Sequence, residues 1–134
     1  MKEYSFEKLD VYVETRALVK AIYSLSAHFP ESERYALTDQ IHRAVVSVTS
    51  NIAEGTSRTS TKDKAHFMEM SYGSLMEVVS QLQIAMDLGY ISKQQYADLQ
   101  TPIENISYKL YALRRSFIEN KPRSNKLHTA PEEQ

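Results

Sequence analysis

From residue 6 onward, apolar side chains return every three or four positions, the step that keeps them on one face of a helix. Phe6, Leu9, Val13, Ala17, Ala21 and Leu25 trace the first such stripe, which predicts a helix reaching about His28, ahead of Pro30. FPESERYALTD, residues 29–39, reads as a turn, with Pro30 blocking continuation and Thr38 or Asp39 available as the next cap. Ile41, Ala44, Val45, Val48 and Ile52 form the stripe of a second helix. Gly55 stands where a helix ends in a left-handed residue, and TSRTST, residues 56–61, supplies a polar connection. Ser60 with Asp63 predicts the start of a third helix, whose Ala65, Met68, Tyr72, Leu75, Val79, Leu82 and Met86 keep the same step as far as Gly89. Ser92 and Gln95 form an S-x-x-Q capping box before a fourth stripe of Tyr96, Leu99, Ile103, Ile106, Leu110, Leu113 and Phe117. Pro102 lies inside that stripe and removes a backbone hydrogen bond, which predicts a kink or an interruption.

No strand alternation competes with these four patterns, and the connections are short. The expected fold is therefore all-α, an antiparallel up-down-up-down four-helix bundle over residues 1–120. KPRSNKLHTAPEEQ, residues 121–134, has no apolar period and predicts a mobile polar tail. Two helices carry a second face. On the second, Arg43, Ser47, Ser50 and Glu54 share one side with Asn51 at its margin, away from the apolar stripe and flanked by Val46 and Ala53. On the third, Phe67, Met70, Ser71, Ser74, Val78, Ala85 and Leu88 run beside the core stripe, many of them small or apolar. A helix apolar on a second side is expected to meet another chain, so self-association is predicted, and a different protein partner is the other use of such a face.

Composition narrows the chemistry. A chain of 134 residues suits one core, and with no cysteine it has no disulfide, no thiol nucleophile and no thiolate metal site. Its start, MKEYSFEKLD, is charged, and no apolar run reaches spanning length, which predicts a soluble, cytoplasmic protein with no membrane contact. His28, His42, His66 and His128 are scattered and form no H-E-x-x-H or E-x-x-H pair with carboxylates, so no metal is expected. Ser47, Ser50, Ser71 and Ser74 show no base and orienter, Glu54 as a general acid or base has the same weakness, and there is neither a Walker loop nor a dinucleotide glycine pattern. No catalytic residue and no cofactor are predicted, and the chain reads as a non-enzyme.

The formal net charge of −1 argues against a basic nucleic-acid binder, yet six basic residues against one acidic over residues 109–126 give a local excess of five positive charges. Candidate contacts for RNA or DNA are Arg43, Arg58, Lys62 and Lys64 around the second turn, with Lys109, Arg114 and Arg115 on the fourth helix. Without a base-reading motif, such binding would be directed at the backbone.

The stretch FPESERYALTDQIHRAVVSVTSNIAEGTSR and the later FMEMSYGSLMEVVSQLQIAMDLGYIS carry a resemblance. Over most of the chain, from about Phe6 to about Leu113, it resembles the bacterial four-helix bundle proteins named for intervening sequences in 23S rRNA genes. SNIAEG is the most specific piece, supported by F-P-x-x-E-x-Y-x-L, Q-I-x-R-A and YGSLMEV. Ala36, His42 and Thr49 depart from the pattern, standing where the family tends to have Gly, Arg and Pro. The resemblance implies an up-down-up-down bundle assembled as a homopentameric ring. A related group, the accessory proteins of diversity-generating retroelements, shares the ring and associates with nucleic acid and a reverse transcriptase. Carried over to this chain, Pro30, Glu33, Tyr35, Leu37, Gln40, Arg43, Ala44, Ser47, Asn51, Glu54, Gly55, Gly73 and Ser74 match the family pattern. The use it implies for them is structure or assembly, with Glu54 pairing either Arg43 or Arg58. For the intervening-sequence branch itself no biochemical role is established, and the residues and the resemblance together are read as a non-enzymatic self-assembling scaffold or binding protein of unestablished biological role, with nucleic-acid binding through basic patches repeated around a ring as the alternative.

Overall fold

The first apolar residues do not begin the long helix. In the computed structural model, which describes residues 2–119, Ser5–Lys8 is a single 3-10 turn closed by the Tyr4 amide donating to Glu7 Oε2 at 3.0 Å. Leu9 is extended, and α1 runs over Asp10–Ser26. Its buried face is Val11, Thr15, Leu18, Ile22 and Ser26, whereas Val13 is 55% exposed and Ala17 and Ala21 lie outside. At about 100° per residue, the stripe expected from the sequence is turned to roughly the opposite side. The physical reason is that two of the inward positions are hydroxyl residues satisfied on their own helix. Thr15 Oγ1 donates to the Tyr12 carbonyl at 3.0 Å, and Ser26 lies 3.4 Å from the Tyr23 carbonyl and 2.7 Å from His42 Nε2. A hydroxyl with a partner can be buried at little cost, and hydrophobicity alone does not reveal it.

After a 3-10 turn at Glu31–Glu33, α2 spans Leu37–Thr56. Thr38 and Asp39 fall inside its first turn and do not cap it; instead the Glu33 carboxylate accepts from the Leu37 amide at 3.2 Å. The other oxygen of that carboxylate accepts from the Tyr90 hydroxyl at 2.8 Å. Tyr90 is pushed above the usual phenol range, first by this hydrogen bond and then by burial. All five residues of the expected α2 stripe are buried.

Ser60 caps α3, Thr61–Asp87, accepting from the Asp63 amide at 3.0 Å. Here the expected stripe is half right. Ala65, Met68, Leu75 and Leu82 are buried, but between them the core takes Ser71, Val78 and Ala85, while Tyr72 is 41% exposed and Val79 and Met86 are half-buried. The steps 68–71–75–78–82–85 and 68–72–75–79–82–86 are both three-four patterns; the core takes Ser71 over Tyr72 and Ala85 over Met86, the smaller residue in each case, while positions 78 and 79 are both valine and size does not distinguish them. At position 71 close approach to α2 selects the small residue, whose hydroxyl donates to the Val48 carbonyl. Gly89 ends α3 region with φ +79°, the Tyr90 amide donating to the Ala85 carbonyl at 2.8 Å. Ser92 and Gln95 then cap reciprocally at 2.8 and 3.0 Å. α4 spans Lys93–Glu119 as one helix through Pro102, so the expected interruption does not occur. Burial of Ile103, Ile106 and Leu110 along its length holds the turns around the missing bond together.

α1 packs on α2 and α4, and α3 packs on the same two; α1 and α3 make no close backbone approach to each other. They therefore stand at opposite corners of a core centred on Ile22, Ile41, Val48, Ile52, Met68, Leu75, Leu82 and Ile106. Among the described residues there is no strand, and no helix is long and apolar enough to cross a membrane. The tail expected over residues 121–134 lies outside the described residues.

Candidate functional site

Where α2 meets α3, the SNIAEG segment makes a polar seam. Asn51 Nδ2 donates to the Ser47 carbonyl at 3.0 Å and to Ser47 Oγ at 3.1 Å. Ser74 Oγ reaches the same Ser47 hydroxyl from α3 at 2.9 Å. Ser71 Oγ, fully buried, donates to the Val48 carbonyl at 2.7 Å. Among the described residues, the partners of these hydroxyls are the Asn51 amide, the Val48 carbonyl and one another. The seam bridges the helices through partnered polar groups, each bond worth about 1 kcal/mol net.

Gly55 corrects the sequence expectation. It does not end α2 in a left-handed conformation; α2 continues to Thr56, and the only left-handed glycine among the described residues is Gly89. Gly55 is buried because a side chain there would collide with α3: a Cβ would lie 2.5 Å from Phe67 Cβ and 2.8 Å from Met68 Cε. Beside it, Glu54 pairs with Arg58 at 2.6 Å, and Arg43 is not its partner. The Arg58 guanidinium also lies over the Phe67 ring, 4.6 Å from its centroid. Gly73 has the opposite environment, with nothing within 4 Å of where a Cβ would be.

The basic candidates divide into three places. Lys62 and Arg114 line one cavity of about 430 Å³ between the start of α3 and the end of α4, with His66, Phe117 and Ile118. Lys64, nearby, donates to the Thr56 carbonyl at 3.0 Å and sits 5.7 Å from the Phe117 ring centroid. Arg43 is well away on the outer side of α2, in a groove with Tyr35, Asp39 and Glu77. On α4 each basic candidate has an acidic neighbour within the chain. Lys109 pairs with Glu14 of α1, Arg114 approaches Glu69 at 4.0 Å, and Arg115 Nε donates to Glu119 at 3.0 Å. Lys109 is held above the usual lysine range chiefly by its hydrogen bond to Glu14. Each of the three cations of the basic run that lie on α4 thus has a carboxylate beside it.

Two features were missed in the sequence. His42 lies flat on the Tyr23 ring, with centroids 3.8 Å apart and planes 9° apart, and its Nε2 meets Ser26. Burial lowers its pKa, the nearby Asp39 opposing this only in part, which favours the uncharged ring in this packed position. Tyr72, Tyr108 and Tyr111 are exposed around a cavity of about 470 Å³ that also touches Arg114. The i, i+3 spacing of Tyr108 and Tyr111 was the available signal, but each also reads as an isolated surface aromatic. Among the described residues no group of three or more His, Cys, Asp or Glu is placed to hold a metal ion.

Comparison with known proteins bears on family and fold. The family of the 23S rRNA-intervening sequence protein matches residues 7–112. No curated protein matches the chain. A crystal structure of a protein with unknown function from the S23 ribosomal protein family of Bacteroides thetaiotaomicron is similar, with a TM-score of 0.72 at 20% identity, over 78% of this chain and 98% of that one. At that identity the likeness speaks for the fold. With the family pattern reaching from the turn before α1 to the later turns of α4, the chain belongs to the 23S rRNA-intervening sequence protein family.

Proposed function

We propose that this protein is a cytoplasmic, non-enzymatic scaffold: an up-down-up-down bundle that assembles into a homopentameric ring and presents repeated surfaces to a partner. The antiparallel reading is supported by pairings that run in opposite directions, Gly55 beside Phe67, Val48 beside Ser71 and Ser47 beside Ser74, then Gln83 beside Tyr96 and Glu69 beside Arg114. The observation that carries self-assembly is that apolar side chains remain outside after the core is filled: Val13 at 55%, Ile84 at 44% and Leu88 at 54% exposure. They sit on α1 and on or just after α3, at opposite corners of the bundle. The number five comes from the family resemblance. Light scattering coupled to size exclusion tests it: the expected mass is near five times 15.4 kDa, and a mass of 15.4 kDa at micromolar concentration overturns the reading.

The second reading, nucleic-acid binding, is favoured by one observation, the convergence of Lys62, Lys64 and Arg114 at one end of the bundle. Repetition around a ring would add these weak contacts through multivalency. On this reading, charge reversal at Lys62 and Arg114 weakens retention of single-stranded RNA several-fold, and wild-type retention falls as salt rises from about 50 to 200 mM. Retention that is indifferent to salt rules the reading out.

A further inference from the structure

Each of the three glycines sits in a different environment, and one has no explanation inside the chain. Gly89 needs its left-handed backbone, and Gly55 makes room for Phe67 and Met68. Gly73 lies in the interior of the 27-residue α3, exposed, with open space where a side chain would be. Glycine there weakens the helix relative to alanine, so within a single chain it is a cost without a return. Close approach of another backbone supplies the return.

The surroundings of Gly73 say what approaches. Along the outer ridge of α3, Met70 precedes it by three residues and Glu77 follows by four, with Ile84 two turns further on. Met70 is 36% and Ile84 44% exposed, and among the described residues Glu77 has no ion pair. At the opposite corner of the bundle, the outer ridge of α1 offers the complement. Val13 is exposed there, Ala17 and Ala21 are exposed and small, and Arg16 and Lys20 are exposed cations with no ion pair among the described residues. One ridge is apolar with an unpaired acid and a gap; the other is apolar and small with unpaired bases. Because α1 and α3 do not touch, the two ridges point away from each other, so one chain cannot bring them together.

We propose that the α3 ridge around Gly73 receives the α1 ridge of a second copy of this chain, its Ala17 or Ala21 entering the space left by the missing side chain and Lys20 lying by Glu77. The inference rests on the self-assembly proposed above and names its contact. Different surfaces meeting at opposite corners make a head-to-tail contact, which closes into a ring or runs into a filament depending on the rotation between copies.

The chain contains no cysteine, so paired cysteines report this contact cleanly. The double variants Ala17→Cys/Gly73→Cys and Ala21→Cys/Gly73→Cys are oxidised at micromolar concentration and run on a denaturing gel. At least one of them is expected to give a ladder of covalent multimers, since a bridge forms only where Cα atoms come within about 7 Å. The single variants are expected to stay monomeric on the gel. A single variant that forms dimers as fast as the double variants would mean that like faces pair, which overturns the head-to-tail contact. No ladder from either double variant, with wild type still a multimer by light scattering, overturns the contact and leaves self-assembly standing. A monomeric wild type removes both. An independent check is charge exchange: Lys20→Glu and Glu77→Lys should each weaken association, and the two combined in one chain should restore it. Failure to restore, with the combined variant folded, counts against the contact.

Discussion

Leu18→Ala is expected to lower the unfolding free energy by about 2–5 kcal/mol, while Val13→Ala on the same helix changes it by less than about 0.5 kcal/mol. Urea unfolding of the dilute chain measures both. Leu18 is 2% exposed in the core, so truncation removes buried methyl groups and leaves a cavity that the neighbouring Ile22 and α2 side chains fill only partly. Val13 is 55% exposed, and its loss uncovers little. The pair tests which way α1 faces. A larger effect at Val13 would put the sequence-derived stripe inward and the observed face outward.

The same substitution at two glycines is expected to act with opposite sign. Gly55→Ala places a methyl group 2.5 Å from Phe67 Cβ, an atom fixed to the α3 backbone, so the helices must separate, at a cost of about 1–3 kcal/mol. Gly73→Ala meets nothing within 4 Å and gains helix propensity, stabilising the dilute chain by about 0.5–1 kcal/mol. Thermal melts of both variants below the concentration of self-association read the difference. Equal effects would mean that the two sites are packed alike. A stabilised Gly73→Ala chain would also indicate that this glycine is kept for something other than folding.

These contrasts mark where the sequence was legible. The α2 stripe was read correctly because its alternatives were largely polar: one position on from Ile41, Val45, Val48 and Ile52 stand His42, Val46, Thr49 and Ala53, of which only Val46 and the small Ala53 are apolar. α3 offered two equally periodic stripes sharing Met68, Leu75 and Leu82, and the larger side chains of Tyr72 and Met86 pointed to the wrong one. The candidate site divides in the same way. Ser47 and Asn51 were visible as a polar side of α2, but not the Ser74 hydroxyl that meets them from another helix. The basic run at the end of the sequence was visible, but not the carboxylates of Glu14 and Glu69 that answer Lys109 and Arg114 from distant positions.

Helix number, the caps at Ser60 and Ser92, the stop at Gly89 and the inward faces of α2 and α4 were determined by the sequence alone, because propensity, capping and periodicity act within a few residues of the chain. The tertiary structure decided the inward face of α1, the choice of Ser71 and Ala85 for the α3 core, the use of Gly55 as a point of close approach and the acidic neighbours of Lys109, Arg114 and Arg115. Each depends on what a different helix brings within a few ångströms: a partnered hydroxyl can be buried, a small side chain admits a neighbouring backbone, and a charge is answered by whichever carboxylate the fold sets beside it.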